Sequence, residues 1–493
     1  MKIYYYLLFI VAALPAACAG APKAPRDARS ENFEVTSKYL DLGGTVYTYM
    51  DVEGDVEKAA ALVNELVAVV DEIPPKYKAR IDAVQIVKAL GLTDIQAIGM
   101  SSYKNGDRYI NKSFTKTTYP RTGLMQYFGG EPHPFEILQM APENAILAYE
   151  GDVNMQAFLE TLYGVMQDVA DADVIADVNR HLDSPIVGAG MTYRQLISQL
   201  DTKIMGVVAL DPTRRMKIPD TELEIPLVEA FIAVDNMGPL MDLLVMKAKE
   251  LPVFSVWEDS QWQRIGVSEF LTEELLDYRP VLWRHKVTQR LYIATGSQFL
   301  EDRLKHKNAL GESPGFKELA ASVPVDKGNG LIYISPDVYN SVVGIVDDAL
   351  AKESELTSVR KVVDVLASKV SPGMVWVSQN THDGIYQVAS ASFSHKLTLL
   401  GSIYANQLYG ITMLGAASKY IFQQAVMGAL FNSFTPNPSP TPSMPEGNES
   451  PGNELEKNSG DGPASPSGSK KEMPEHVEEF LKKWQQEHPG DAI

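Results

Sequence analysis

The sequence predicts an α+β protein: duplicated units of antiparallel sheet with helices packed on one face, followed by a C-terminal apolar helix and a disordered tail. Two local patterns carry this expectation. A short apolar strand that runs into an Asp, Asn or Gly turn and then a helix recurs four times between residues 36 and 395. Between these junctions lie stretches with hairpin character. Junctions spaced roughly 85–100 residues apart are too far separated for a solenoid repeat, so they point to duplicated half-domains. Helices combined with hairpins place the helices against an antiparallel sheet.

The first junction is Val46-Tyr47-Thr48-Tyr49-Met50-Asp51, then a helix from Val56 carrying Ala59, Leu62, Val63, Leu66 and Val70. The second is Ala145-Ile146-Leu147-Ala148-Tyr149, then Gly151-Asp152-Val153-Asn154 and a helix with Phe158, Leu159, Leu162 and Val165. The third, Ala230-Phe231-Ile232-Ala233-Val234-Asp235-Asn236, precedes Leu240, Leu243, Leu244 and Lys247. The fourth, Leu331-Ile332-Tyr333-Ile334-Ser335-Pro336-Asp337, precedes Val338, Val342, Ile345 and Val346. Apolar residues three and four apart mark a helix face, and Asp or Asn at the switch suits an N-cap.

Three hairpins fill the intervals. Ile95 to Lys104, Asn105-Gly106 and Arg108 to Thr117 form the clearest, because Asn-Gly favours a turn whose twist matches two antiparallel strands. Met374 to Gln379 and Ile385 to Phe393 flank His382-Asp383-Gly384, and Val281 to Lys286 pairs with Arg290 to Thr295. The boundary between copies falls near residue 205, giving a first unit at 36–205 and a second at 206–395.

This arrangement resembles a broad family of exported bacterial proteins catalogued as a domain of unknown function. The likeness covers residues 40–395 and rests on the strand, acidic turn and helix, on Ile204-Met205-Gly206 entering a strand, and on Ser313-Pro314-Gly315-Phe316-Lys317-Glu318-Leu319 leading to Val323-Pro324. These are packing and capping motifs. The resemblance implies the fold and supplies no catalytic residue.

The N-terminus reads as an export signal at 1–17. Lys2 is followed by an apolar run from Ile3 to Ala13, then by Leu14-Pro15-Ala16-Ala17-Cys18-Ala19-Gly20. A charged start, a short apolar core and small residues at the cleavage point define such a signal, and the run is too short for a membrane span. The stretch resembles a bacterial lipoprotein signal, which implies cleavage before Cys18 and lipid modification of that cysteine. Pro15 stands where that pattern prefers an aliphatic residue. The alternative is ordinary cleavage after Ala19 or Ala21, which leaves no anchor. Residues 18–35 then read as a tether.

After residue 395 the character changes. The segment 396–434 opens with Leu397 to Ser418, which is free of charge and long enough to span a bilayer. Asn406 and Gln407 at its middle favour a buried or membrane-surface helix. Residues 435–473, rich in Pro, Ser, Gly, Asn and Glu, read as a disordered linker. At 474–493 Pro474 opens a helix with Val477, Phe480, Leu481 and Trp484 on one face, an amphipathic docking peptide for a protein partner.

Composition narrows the function. The 493 residues carry a formal net charge of −19, which argues against a nucleic-acid partner. A single cysteine excludes an internal disulfide framework, a CxxC pair and a Cys-based zinc cluster. Gly311-Glu312-Ser313-Pro314-Gly315 matches the GxSxG of serine hydrolases, but a helix-like segment precedes it where a strand is required. Ser313 and Pro314 read instead as an N-cap and first helical residue. Asp168, Asp171, Asp173 and Asp177 lack the glycine of a calcium loop and read as a solvated acidic connection. The eight histidines show no HxH or HExxH spacing, and Gly328-Asn329-Gly330 precedes a strand rather than opening a helix, so it reads as a turn. Tyr47, Tyr49, Tyr103, Tyr109 and Tyr149 read as strand packing. No catalytic residue, metal or cofactor is assigned. The sequence therefore points to a non-enzymatic envelope lipoprotein acting as an interaction or structural module. The alternatives are a periplasmic or surface binding protein for an apolar or glycan ligand, and a hydrolase built from scattered residues.

Overall fold

The computed structural model describes residues 29–70, 82–186, 190–198, 201–217, 224–251, 253–267, 279–338, 340–341, 361 and 373–396, all within the first of two units, Met1–Ser433. The signal, Cys18, the fourth helix with Val342, Ile345 and Val346, the segment beyond Lys396, the linker and the docking helix with Val477, Phe480, Leu481 and Trp484 lie outside the described residues.

Ser30 starts helix α1 (Glu31–Ser37) by accepting the Phe33 N–H at its hydroxyl, so the stretch read as tether ends at this cap rather than at residue 35. Strand β1 (Val46–Asp51) then turns into α2 (Asp55–Val69), and Asp82 caps α3 (Ala83–Ala89). Strands β2 (Ile95–Asn105) and β3 (Arg108–Thr117) form the first hairpin. Its two loop residues are Gly106 and Asp107, one position later than the Asn-Gly reading, and Gly106 takes the positive φ of 61° that the first loop position needs. A single helical turn, α4 (Ile137–Met140), precedes β4 (Ala145–Asn154). This strand passes directly into α5 (Met155–Val169), with Asn154 Oδ1 accepting the Ala157 N–H at 2.8 Å as the cap. Asp171 stands at the N-cap of α6 (Ala172–Leu182), so Asp173 and Asp177 lie on a helix rather than in a loop.

After α7 (Tyr193–Ser198), β5 (Asp201–Lys217) and β6 (Glu224–Val234) pair along most of their length. The third junction turns at Asn236, φ 59°, into α8 (Gly238–Glu250); asparagine tolerates this left-handed conformation. Strands β7 (Phe254–Glu258), β8 (Trp262–Val267), β9 (Val281–His285) and β10 (Leu291–Ala294) follow as a meander, then α9 (Ser297–Leu304). Ser313 caps α10 (Pro314–Ala320), accepting the Phe316 N–H at 3.2 Å with Pro314 at the first helical position, as its spacing predicts. Strand β11 (Gly330–Ile334) enters the fourth turn, and β12 (Met374–Thr381) and β13 (Gly384–Ala391) close around His382-Asp383. Gly384 is required there, because a Cβ would stand 2.1 Å from the Thr115 carbonyl oxygen.

The described strands form one antiparallel sheet in the order β1-β2-β3-β13-β12-β11-β4-β5-β6-β10-β9-β8-β7. The position near residue 205 lies inside β5, and β11 to β13 sit between β3 and β4. The sheet therefore runs without a break across the boundary between 36–205 and 206–395.

Strand alternation divides the buried residues between two faces. On one, Ala148, Met205, Val207, Phe231, Ala233, Tyr292, Trp283, Leu331 and Val377 pack under Met140, Leu300, Phe316 and Leu319 from α4, α9 and α10. On this face Tyr39, just after α1, stacks on Phe114 with ring centroids 3.9 Å apart. On the other, Ile146, Leu210, Ile334 and Val338 form a second cluster, and Arg284 Nη1 donates to the Gly238 carbonyl at the start of α8 at 2.8 Å. The expectation of helices on one face is thus corrected. The central strands bury apolar side chains of both phases, and each phase needs its own cover.

Candidate functional site

One end of the central strands carries an interlocked set of charges. Alternation along β4 places Ala148, Glu150 and Asp152 on the α4 face, and the register sets Asp152 opposite Lys203 of β5. Asp235 leaves the end of β6, Arg290 stands just before β10, and the chain from His133 to α4 crosses over them.

Glu150 is completely buried. Its Oε2 accepts the N–H of Ile137, the first residue of α4, at 2.7 Å. Its Oε1 has no hydrogen-bond partner and instead faces His133 Nδ1 and Lys203 Nζ, each at 3.7 Å. Lys203 also pairs with Glu136, and Arg290 joins Glu136, at 2.6 Å through Nη1, to Asp235. His133 Nε2 lies 2.8 Å from Asp152 Oδ1, and its Nδ1 lies 3.1 Å from the Pro134 carbonyl. Both ring nitrogens therefore face acceptors, which suits the doubly protonated ring.

Electrostatics follow from these contacts. Burial opposes the charge on Glu136, but hydrogen bonds from Arg290 and Lys203 outweigh it and hold the carboxyl at about 2. Burial likewise opposes the Arg290 cation, and Asp235 and Glu136 more than restore it. The hydrogen bond to Asp152 raises His133 above its ordinary value. Desolvation pushes Glu150 up, against the Ile137 N–H and the Lys203 charge. With His133 protonated, three cations face four carboxylates, and the excess falls on Glu150, the most deeply buried.

A second, uncharged layer adjoins the first. Asn329 Nδ2 donates to Asp152 Oδ2 at 2.9 Å and to the Gly130 carbonyl at 3.0 Å, while its Oδ1 accepts the Asn380 N–H at 2.8 Å. Asn380 Nδ2 shares its hydrogens among the carbonyls of Phe128, Gly129 and Gly130 at 2.9–3.1 Å. The Gly328-Asn329-Gly330 stretch is therefore more than a turn: its asparagine ties β4, β12 and the Gly129–Gly130 loop together. Beyond this layer opens a cavity of about 490 Å³ whose walls include Arg121, Gln126, Glu131, Asn154 and Asn380.

The arrangement can hold charge and present a polar cavity. Ser313, on its helix cap, lies apart from it; His133 contacts Asp152 and the Pro134 carbonyl, with no hydroxyl or thiol hydrogen-bonded to it among the described residues. Among those residues no three His, Cys, Asp or Glu side chains gather as metal ligands. Tyr47, Tyr49, Tyr103, Tyr109 and Tyr149 all stand on strands, and His382-Asp383 occupies a hairpin loop. Sequence reasoning missed Glu136, Glu150, Lys203, Asp235 and Arg290 as a group. One signal was present: Glu150 shares the inward phase of Ala148 in an apolar strand, where a carboxylate needs a partner. The partners come from remote positions and carried no motif.

No family model, no curated protein and no solved structure matches this chain.

Proposed function

We propose that this chain is a non-enzymatic cell-envelope lipoprotein, exported by residues 1–17, held on a membrane through acylated Cys18, and acting through its α+β body as an interaction or structural module. The observation that carries the reading is the position of the chain's single cysteine, directly after Leu14-Pro15-Ala16-Ala17. Each buried CH₂ of an acyl chain contributes about 0.8 kcal/mol, so more than one chain makes the attachment stable. The body is a duplicated set of strand, helix and hairpin units related to exported bacterial proteins of unknown function. Three strand-to-helix junctions in one sheet support that reading. The 435–473 stretch serves as a flexible arm that delivers Val477, Phe480, Leu481 and Trp484 to a protein partner.

The test is fractionation of cells producing wild type and Cys18→Ser. Wild type stays with membranes, and the variant moves to the soluble envelope fraction; a variant that stays with membranes removes the lipid anchor from the account. Deleting 474–493 changes the proteins that co-purify, and an unchanged set removes the docking helix. The second reading, a binding protein for a glycan rather than an apolar ligand, is favoured by the polar lining of the cavity beside Asn380.

A further inference from the structure

The cavity beside Asn380 is built for one kind of ligand, and we infer that it binds a neutral saccharide; the inference rests on the glycan-binding reading and is independent of the lipid anchor. At its mouth Tyr119 and His382 stack on one another with ring centroids 4.9 Å apart and planes 29° from parallel. Tyr119 is 64% exposed, so an aromatic face is held in solvent at the entrance. Such a face stacks on the C–H surface of a sugar ring.

The walls separate into spent and unspent groups. Arg121 Nη2 donates to the Thr381 and Gly384 carbonyls at 2.6 and 2.8 Å, and its Nε points to Thr117 Oγ1 at 3.3 Å. These bonds make Arg121 a structural strut and leave its Nη1 as a donor. Asn380 Nδ2 is taken by the loop carbonyls. Besides Arg121 Nη1, three groups remain. Asn154 spends its Oδ1 on the α5 cap and keeps its Nδ2 as a donor. Gln126 spends its Nε2 on the Arg121 carbonyl at 2.6 Å and keeps its Oε1 as an acceptor. The Glu131 carboxylate also lines the cavity.

Donors from Asn154 and Arg121 and two acceptors beside an aromatic face complement neighbouring hydroxyls, each of which both donates and accepts. The lining pairs one guanidinium, Arg121, with one carboxylate, Glu131, so a charged ligand of either sign would meet a like charge, and an apolar ligand would leave these groups unpaired. The volume of about 490 Å³ falls within the ~300–1,000 Å³ of small-ligand pockets.

Calorimetric titration of the full chain with cellotriose, maltotriose, chitotriose and mannotriose tests this, with trigalacturonate and inorganic phosphate as charged comparators. At least one neutral trisaccharide binds saturably. Tyr119→Ala weakens it about tenfold through loss of the stacking face. Asn154→Asp, which keeps an oxygen for the α5 cap, weakens it about fivefold through loss of the donor. Both variants keep the wild-type melting curve. No saturable binding of any neutral trisaccharide, binding of the charged comparators alone, or an affinity within about twofold of wild type in either variant overturns the inference. None of these outcomes bears on Cys18, whose state is read from the mass of the N-terminus.

Discussion

Replacing Lys203 by methionine removes a cation from the centre of the charged end of the sheet while keeping most of the side chain's volume. The Lys203 side chain is 14% exposed and its Nζ lies 3.7 Å from the fully buried Glu150. At that separation and an effective dielectric of ~20, the attraction is about 4.5 kcal/mol. Removing one partner of a buried pair costs about 3–5 kcal/mol, because the other charge is left uncompensated. Lys203→Met should therefore lower the unfolding free energy by about 3–4 kcal/mol at pH 7, measured by urea denaturation. Adding Glu150→Gln should recover about half of that loss, since the amide keeps an acceptor for Ile137 N–H without the stranded charge. The sign with pH is also fixed. Burial already raises the Glu150 carboxyl above its ordinary 4.5, and loss of the cation raises it further. The folded variant then binds a proton that the unfolded chain releases, so its stability falls as pH rises above 4.5 through the folded value. The deficit is smaller at pH 5 than at pH 7. A single variant within about 1 kcal/mol of wild type, or a double variant no more stable than the single, would refute this coupling.

Glu136→Gln removes a carboxyl held at about 2 from an ordinary 4.5. That shift corresponds to ~3 kcal/mol, but with the side chain 46% exposed solvent screening reduces the expected loss to about 1 kcal/mol at pH 7. Because the folded value is depressed, the wild-type advantage should fade as pH falls from 4.5 towards 2 in acid-denaturation profiles. Asn329→Ala strands the Asn380 N–H and Asp152 Oδ2 and should cost about 2–3 kcal/mol, with faster hydrogen exchange at the Asn380 amide as the local readout. Ser313→Ala should cost about 1 kcal/mol by loss of the α10 cap and leave hydrolysis of p-nitrophenyl acetate at the wild-type level. A nucleophilic serine would instead lose its turnover in that assay.

Much of the architecture was legible because it is local. The strand-to-helix switches at Asp51, Asn154 and Asp235, the hairpins, and the Ser313-Pro314 cap depend on residues a few positions apart. The order of strands was not legible. Placing β13 beside β3 joins residues more than 270 positions apart, and several antiparallel orders satisfy the same alternation. That order in turn hid the charged site. His133 reads as an isolated histidine until β4 brings Asp152 to it, and Arg290 reads as a hairpin residue until β10 pairs with β6 and meets Asp235. Asn329 likewise reads as a turn residue until β11 lies beside β4 and β12.

The proposed lipid anchor rests on Cys18, and intact-mass and tandem mass spectrometry of the mature N-terminus examines it most directly. With the anchor in place, residue 18 is the first residue and carries a diacylglyceryl group, and Cys18→Ser abolishes this modified species. An unmodified N-terminus that begins at Gly20 or Pro22, with Cys18 removed, would contradict it.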